Sequence, residues 1–241
     1  MIRNYQKYSY KQANFHICST RIDLIIRGIK KQRNLLEAYI KRHPEFASAL
    51  NPLPLLPGAP DIAQCMHSAS VLTGVGPMAA VAGAAAQRAA EAALAAGAVE
   101  AIVENGGDIF LCSRKKVIVG LYAGNNDLSD KLAFEVQPGE MPVAVCSSSG
   151  RMGHSLSLGN CDLATVVSAD GALADAAATL ACNLVHEPED IPETLDRVSS
   201  IRGILGLVIV KGEKVGFAGD LPRLIRNKDI VFQDKISRTE G

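Results

Sequence analysis

Met78-Ala79-Ala80-Val81-Ala82-Gly83-Ala84-Ala85-Ala86-Gln87-Arg88-Ala89-Ala90-Glu91-Ala92-Ala93-Leu94-Ala95-Ala96 is the stretch on which the reading of this chain turns. Alanine is the strongest helix former, and Pro77 suits the first helical position because the N–H it lacks has no helical partner there. Gly97 supplies the stop. A helix lined with side chains this small lets other backbones come close, so the run reads as a central buried helix. The segments around it are short, apolar and rich in β-branched residues, with no repeated βαβ rhythm. That pattern predicts an α+β fold whose mainly antiparallel sheets pack against the Ala-rich helix.

On the amino-terminal side, residues 4–11 alternate tyrosine with polar residues. Phe15-His16-Ile17-Cys18 and Leu24-Ile25-Ile26 continue as short β-rich runs, together an expected antiparallel meander. Leu35, Leu36, Tyr39 and Ile40 fall at helical spacing and predict a helix over Lys30–Arg42, stopped by Pro44. Pro52, Pro54, Pro57 and Pro60 make residues 51–60 a rigid connector, and Asp61–Met66 reads as a short helix. On the carboxyl side, Ala101-Ile102-Val103 reads as a buried strand. Ile109–Cys112 and Val117–Tyr122 read as an antiparallel pair, and Val143–Cys146 and Leu163–Val167 as further strands. Helices over Gly171–Val185 and Ile191–Ser199 and strands at Leu207–Val210 and Val215–Phe217 complete the pattern. One domain over residues 1–241 is expected, with a basic meander and helix in 1–50 and a ligand-binding core in 61–220.

Twenty-five Lys and Arg balance 25 Asp and Glu, which argues against nucleic acid as the partner. Residues 1–43 are basic, with ten Lys or Arg against Asp23 and Glu37; a solvated face is the ordinary reading of such a run. The six cysteines form no C-x-x-C pair and suit neither a zinc site nor a disulfide framework. No apolar run has the length of a membrane span and the first residues lack a signal-like core, so a cytoplasmic protein without membrane association is expected.

Four segments carry chemistry. Gly74-Val75-Gly76-Pro77-Met78 opens a long helix, where free N–H groups and the helix dipole suit phosphate; a plain tight turn fits as well. In Glu104-Asn105-Gly106-Gly107-Asp108, adjacent glycines let a ligand approach the backbone, while an ordinary hairpin accounts for the same residues. Cys146-Ser147-Ser148-Ser149-Gly150-Arg151-Met152-Gly153-His154-Ser155 runs from a strand into hydroxyls, glycines, a cation and an imidazole. Such a loop offers amides and Arg151 to phosphate, with His154 as general acid or base. In Ala172-Leu173-Ala174-Asp175-Ala176-Ala177-Ala178-Thr179, the carboxylate and hydroxyl stand four apart on one helix face, a hard-oxygen pair suited to Mg2+. A carboxylate among alanines needs a partner, since burying it alone is costly.

Together and in this order, these segments resemble the ApbE-like superfamily, best known for FAD:protein FMN transferases, and most closely an uncharacterised soluble cytoplasmic branch of it. The resemblance covers about residues 70–185. It implies a T-fold-like architecture and a flavin site built by Gly74, Gly76, Asn105, Gly106, Gly107, Asp108, Ser148, Ser149, Gly150, Arg151 and Gly153. It further implies Mg2+ held by Asp175 and Thr179 with a backbone carbonyl near Pro77 or Met78. His154 and Asp175 would be the catalytic residues, with FAD or FMN as the flavin. The implied reaction passes FMN from FAD to a hydroxyl of an acceptor protein. Where the transferases carry a Lys-Gly pair, this chain has Met78-Ala79-Ala80. The same resemblance implies an alternative, a non-catalytic flavin- or nucleotide-binding accessory protein with a partner in sulfur or homocysteine metabolism.

Overall fold

The computed structural model describes residues 3–122, 132–150 and 161–226. Strands β1 (Gln6–Tyr10) and β2 (Ala13–Ser19) form a hairpin, followed by helix α1 (Ile22–Arg42) and, after the proline connector, α2 (Asp61–Thr73). A 3-10 turn over Pro77–Ala80 leads into α3 (Val81–Ala95). Then come β3 (Ala101–Asn105), β4 (Asp108–Cys112), β5 (Val117–Gly120), β6 (Leu132–Val136), β7 (Val143–Ser148) and β8 (Leu163–Ser168). Helices α4 (Gly171–Leu184) and α5 (Ile191–Ser199) precede β9 (Ile204–Lys211), β10 (Lys214–Gly219) and β11 (Arg223–Arg226).

Eight strands form one antiparallel sheet in the order β1-β2-β3-β4-β7-β8-β9-β10, and β11-β6-β5 form a second, smaller one. Alternation along the strands sorts the side chains to two sides. Phe15, Ile17, Val103, Phe110, Ala144, Cys146, Ala164 and Val166 join the buried alanines of α3 and α4 in one core. Cys18, Ile102, Leu111, Val143, Val145 and Val167 meet Val117, Val119, Phe134 and Val136 of the small sheet in another. The large sheet is therefore covered by helices on one face and by a sheet on the other. This α+β arrangement is the one predicted, with α3 buried at Gly83, Ala84, Ala86, Ala89, Ala90 and Ala93.

Three local expectations are corrected. Leu24-Ile25-Ile26 is the first turn of α1 rather than a strand, because Ile25, Ile29, Leu36 and Tyr39 make one buried helical stripe that begins before Lys30. The helix at Asp61 runs on to Thr73. Strand β5 does not pair with β4; Val117 lies opposite Val136 of β6, while β4 is taken by β3 and β7. The β6 run Leu132-Ala133-Phe134-Glu135-Val136 and the β11 run Arg223-Leu224-Ile225-Arg226 add two strands to those the sequence predicts. Among the described residues no single helix is long and apolar enough to cross a membrane; only α2 and the segment Pro77–Ala95, bent by 108°, pass as a pair. Both belong to the buried helical layer.

The first turn of α3 crosses the first turn of α4 with no room between the backbones. A Cβ on Gly83 would stand 2.1 Å from the Gly171 carbonyl oxygen, and one on Gly171 would stand 2.7 Å from the Gly83 oxygen. Gly83→Ala must force the helices apart, which should destabilise the protein by about 1–3 kcal/mol. The measurement is thermal or urea unfolding; a variant as stable as the wild type would contradict the described crossing.

Candidate functional site

The close crossing places the start of α3 against the side of α4, and Asp175 fills the space. Its Oδ2 accepts the backbone N–H of Ala82 at 3.0 Å and of Gly83 at 2.9 Å. These are first-turn donors without helical partners, at the positive end of the α3 dipole. By sequence that helix start suits a phosphate; the protein supplies an anion of its own. The carboxylate thus has the partner that its alanine surroundings required. Neighbouring Gln87 reinforces the junction, its Oε1 accepting the N–H of Gly171 at 2.7 Å. Thr179 lies one turn further along α4 and is buried.

The Gly-Gly-Asp segment is a two-residue hairpin turn between β3 and β4, with Asn105 paired to Asp108 and positive φ at both Gly106 and Gly107. Glycine meets that requirement without strain. Being a hairpin does not separate it from the site. Asn105 Nδ2 donates to the Ala82 carbonyl at 3.2 Å, tying the turn to the same α3 start that Asp175 holds. Asp108, only 6% exposed, lies against the Cys146 thiol and the Ser147 N–H, and its Oδ1 has no hydrogen-bond partner. The turn, the α3 start and α4 therefore converge on two carboxylates.

Their electrostatics result from that convergence. Burial, and then the negative charge of Asp175, push Asp108 well above the usual carboxylate range. Burial also pushes Asp175 up, to about 7, against the two amide hydrogen bonds that favour its charged form. Asp175 keeps partial exposure at its surface, but protein packed around the carboxylate still strips most of its hydration. Among the described groups that act on the pair, none is a cation. Burial with these two acids nearby raises the Cys146 thiol as well, so it remains an S–H donor.

The remaining predicted residues take varied places. Gly74 ends α2 at φ 79°, its N–H bonded to the Ser70 carbonyl at 2.7 Å. Gly76 is packed shut: a Cβ there would stand 1.8 Å from the Ala49 carbonyl oxygen, so chain packing accounts for this glycine. Pro77 and Met78 lie in the 3-10 turn before α3, where the Met78 carbonyl accepts the N–H of Val81. Ser148 ends β7 with its Oγ buried and unpartnered; Ser149 is also buried, and the Gly150 N–H reaches the Cys161 carbonyl at 2.9 Å. Arg151, Gly153 and His154 lie outside the described residues. Cys146 and the Ala82 and Gly83 amides are members of the site that sequence reasoning missed. The one available signal for Cys146 is its position at a strand end leading into the Ser-Ser-Ser run.

Carboxyl groups raised in the native state bind more protons than in the unfolded chain, so the stability they confer is present at low pH and declines as pH rises. The stability of the ligand-free protein should therefore fall from about pH 4, the ordinary carboxylate value, through about pH 7, the Asp175 value. Asp108→Asn removes one titrating member and should flatten that slope. Unfolding curves across this window test it; a slope unchanged in the variant would refute a raised Asp108.

Known proteins share both the sequence pattern and the architecture. A family model described as "AbpE bacteria" matches residues 7–200. A UPF0280 protein of Methanospirillum hungatei is 44% identical over 87% of this chain and 85% of its own length. One from Methanocella arvoryzae is 42% identical over 90% of this chain and 91% of its own. Among solved structures, the flavinyl transferase ApbE of Pseudomonas stutzeri shares the fold at TM-score 0.56 and 10% identity, covering 100% of this chain and 98% of that one. The ApbE protein of Thermotoga maritima does so at TM-score 0.54 and 14% identity, covering 98% and 100%. By its matched family model, its close relatives and its fold, the chain belongs to the UPF0280 branch of the ApbE-like superfamily.

Proposed function

We propose that this protein binds a flavin dinucleotide, or a related dinucleotide pyrophosphate, together with a divalent cation, and passes FMN to a hydroxyl of an acceptor protein. The observation that carries the reading is the convergence of the Gly106-Gly107 turn, the α3 start and α4 on Asp108 and Asp175, with a buried Asp108 oxygen left unpartnered. Two desolvated acids without a counter-cation among the described groups fit a hard, oxygen-seeking metal such as Mg2+. When bound, such an ion would neutralise phosphate charge and polarise the phosphoryl group whose phosphorus is attacked. Asp175 and Thr179 are the residues proposed to hold it, with a carbonyl near Pro77 or Met78. The likeness to flavin transferases is one of fold, and it favours the flavin over other pyrophosphates.

In the reaction, the acceptor oxygen bonds to the FMN phosphorus and the phosphoanhydride P–O bond breaks. AMP leaves, and the hydroxyl proton passes to a base, the role assigned to His154 by resemblance. Asn105, Gly106, Gly107 and the Ser148–Gly150 strand end are proposed to orient the nucleotide. Glycine at the turn keeps side chains out of its path.

A second reading is favoured by one observation. The turn Pro77-Met78-Ala79-Ala80 brings no basic side chain to the α3 start. A protein that binds flavin without turning it over, serving as an accessory to sulfur or homocysteine metabolism, would need none. Incubating the purified protein with FAD and Mg2+, with and without cell extract as a source of acceptor, separates the two. The transferase reading expects AMP release, a flavin-labelled protein band and loss of both in Asp175→Asn or His154→Ala. Flavin binding without AMP, unchanged in His154→Ala, selects the accessory protein. Absence of both binding and AMP release refutes the flavin reading altogether.

A further inference from the structure

Asp108 stands in the sequence as part of a turn, yet one of its carboxyl oxygens is buried with no hydrogen-bond partner. The register Ile109↔Val145 places it one step further along β4, opposite Cys146. Cys146 belongs to the helical core and its Sγ lies 3.7 Å from the Gly171 carbonyl of α4. Asp108 touches the same thiol and lies under the charge of Asp175. Its Oδ1 is buried and has no hydrogen-bond partner. A second, independent polar atom points the same way: Ser148, two residues beyond Cys146 and so on the same side of β7, has a buried Oγ without a partner. Buried oxygens left unsatisfied are rare, and an absent ion or water is among the standard reasons for them. Among the described residues no group of three or more His, Cys, Asp or Glu has metal-binding geometry, which disfavours a zinc-type cage. Two carboxylates with hydroxyls and water are instead the oxygen-only set that Mg2+ or Mn2+ takes.

Resting on the metal-dependent function proposed for this site, we infer that Asp108 is a direct ligand of the cation, so that the Gly-Gly-Asp hairpin and α4 are bridged by one ion held between Asp108 and Asp175. The hairpin then belongs to the metal site as well as to the nucleotide site, and a cation binds before any nucleotide arrives.

The test uses the full chain without nucleotide and Mn2+ as the probe, titrated by electron paramagnetic resonance. The wild type should bind Mn2+ and gain thermal stability from it. Asp108→Asn should bind at least about tenfold more weakly, by the scale on which weakened metal sites lose affinity. It should also melt no lower than the wild type when metal-free, because an amide oxygen at this position still accepts from the Cys146 thiol and the Ser147 N–H without a carboxyl group to bury, and this verifies that it is folded. Wild-type Mn2+ affinity in Asp108→Asn overturns the inference, as does absence of Mn2+ binding by the nucleotide-free wild type. A wild-type measurement covers the case in which the variant does not fold: Fe2+ with peroxide should cut the backbone both around Asp108 and around Asp175. Cleavage confined to Asp175 overturns the inference too. FAD binding, measured separately, distinguishes this failure from failure of the flavin reading, since a flavin site can persist without Asp108 as a ligand.

Discussion

The crossing of α3 and α4 at Gly83 and Gly171 is the constraint on which the site depends. Two helix starts can meet with backbone against backbone only when neither carries a side chain at the contact, and here a Cβ on either glycine would overlap a carbonyl of the other helix. The crossing brings α4 within reach of the free amides of α3, and Asp175 answers them through one oxygen. Its position is therefore set twice, by its own helix and by the neighbour it holds. The alanines further along both helices allow this closeness to continue into the core, where Ala84, Ala86, Ala174 and Ala178 are all buried.

The sheet supplies the opposite wall. Because its central strands are covered on both faces, their side chains are mostly apolar in both directions, and apart from Thr165 within β8 the buried polar residues of these strands stand at strand ends. Asn105, Asp108 and Ser148 all stand at such ends. The polar floor of the site thus depends on strand length: β3 and β7 stop, and β4 starts, beside the α3–α4 junction, and the polar residues at those ends line it.

Much of this was legible in the sequence, and the illegible part has a physical pattern. The Ala-rich run and Gly97 announce α3, although Pro77 opens the 3-10 turn before it rather than the helix itself, and the spacing of Asp175 and Thr179 announces their common face. Those signals are local. Leu24-Ile25-Ile26 misled because a short β-branched run fits either period, and only Ile29 and Leu36 further on show that the stripe is helical. The pairing of β5 with β6 rather than β4 was hidden for a different reason: partner choice was made by the uncovered face of the large sheet, which no single strand reveals. The meeting of Asp108 with Asp175 was the least legible feature. Each acid lies in a motif that is complete by itself, a hairpin turn and a helix face, and only the tertiary fold shows that the two share a charge problem.

Asp175 also shapes how relatives of this protein can diverge. A residue that caps one helix from the flank of another cannot be lost without leaving the Ala82 and Gly83 amides unpaired, so replacing it carries a structural cost even where ion chemistry is no longer selected. The accessible first step is asparagine, whose amide oxygen still accepts both N–H groups while giving up the charge. A descendant that had abandoned metal would carry that trace, the helix junction intact and the negative charge gone, whereas alanine at the same place would mark a chain in which the two α3 amides had found another acceptor.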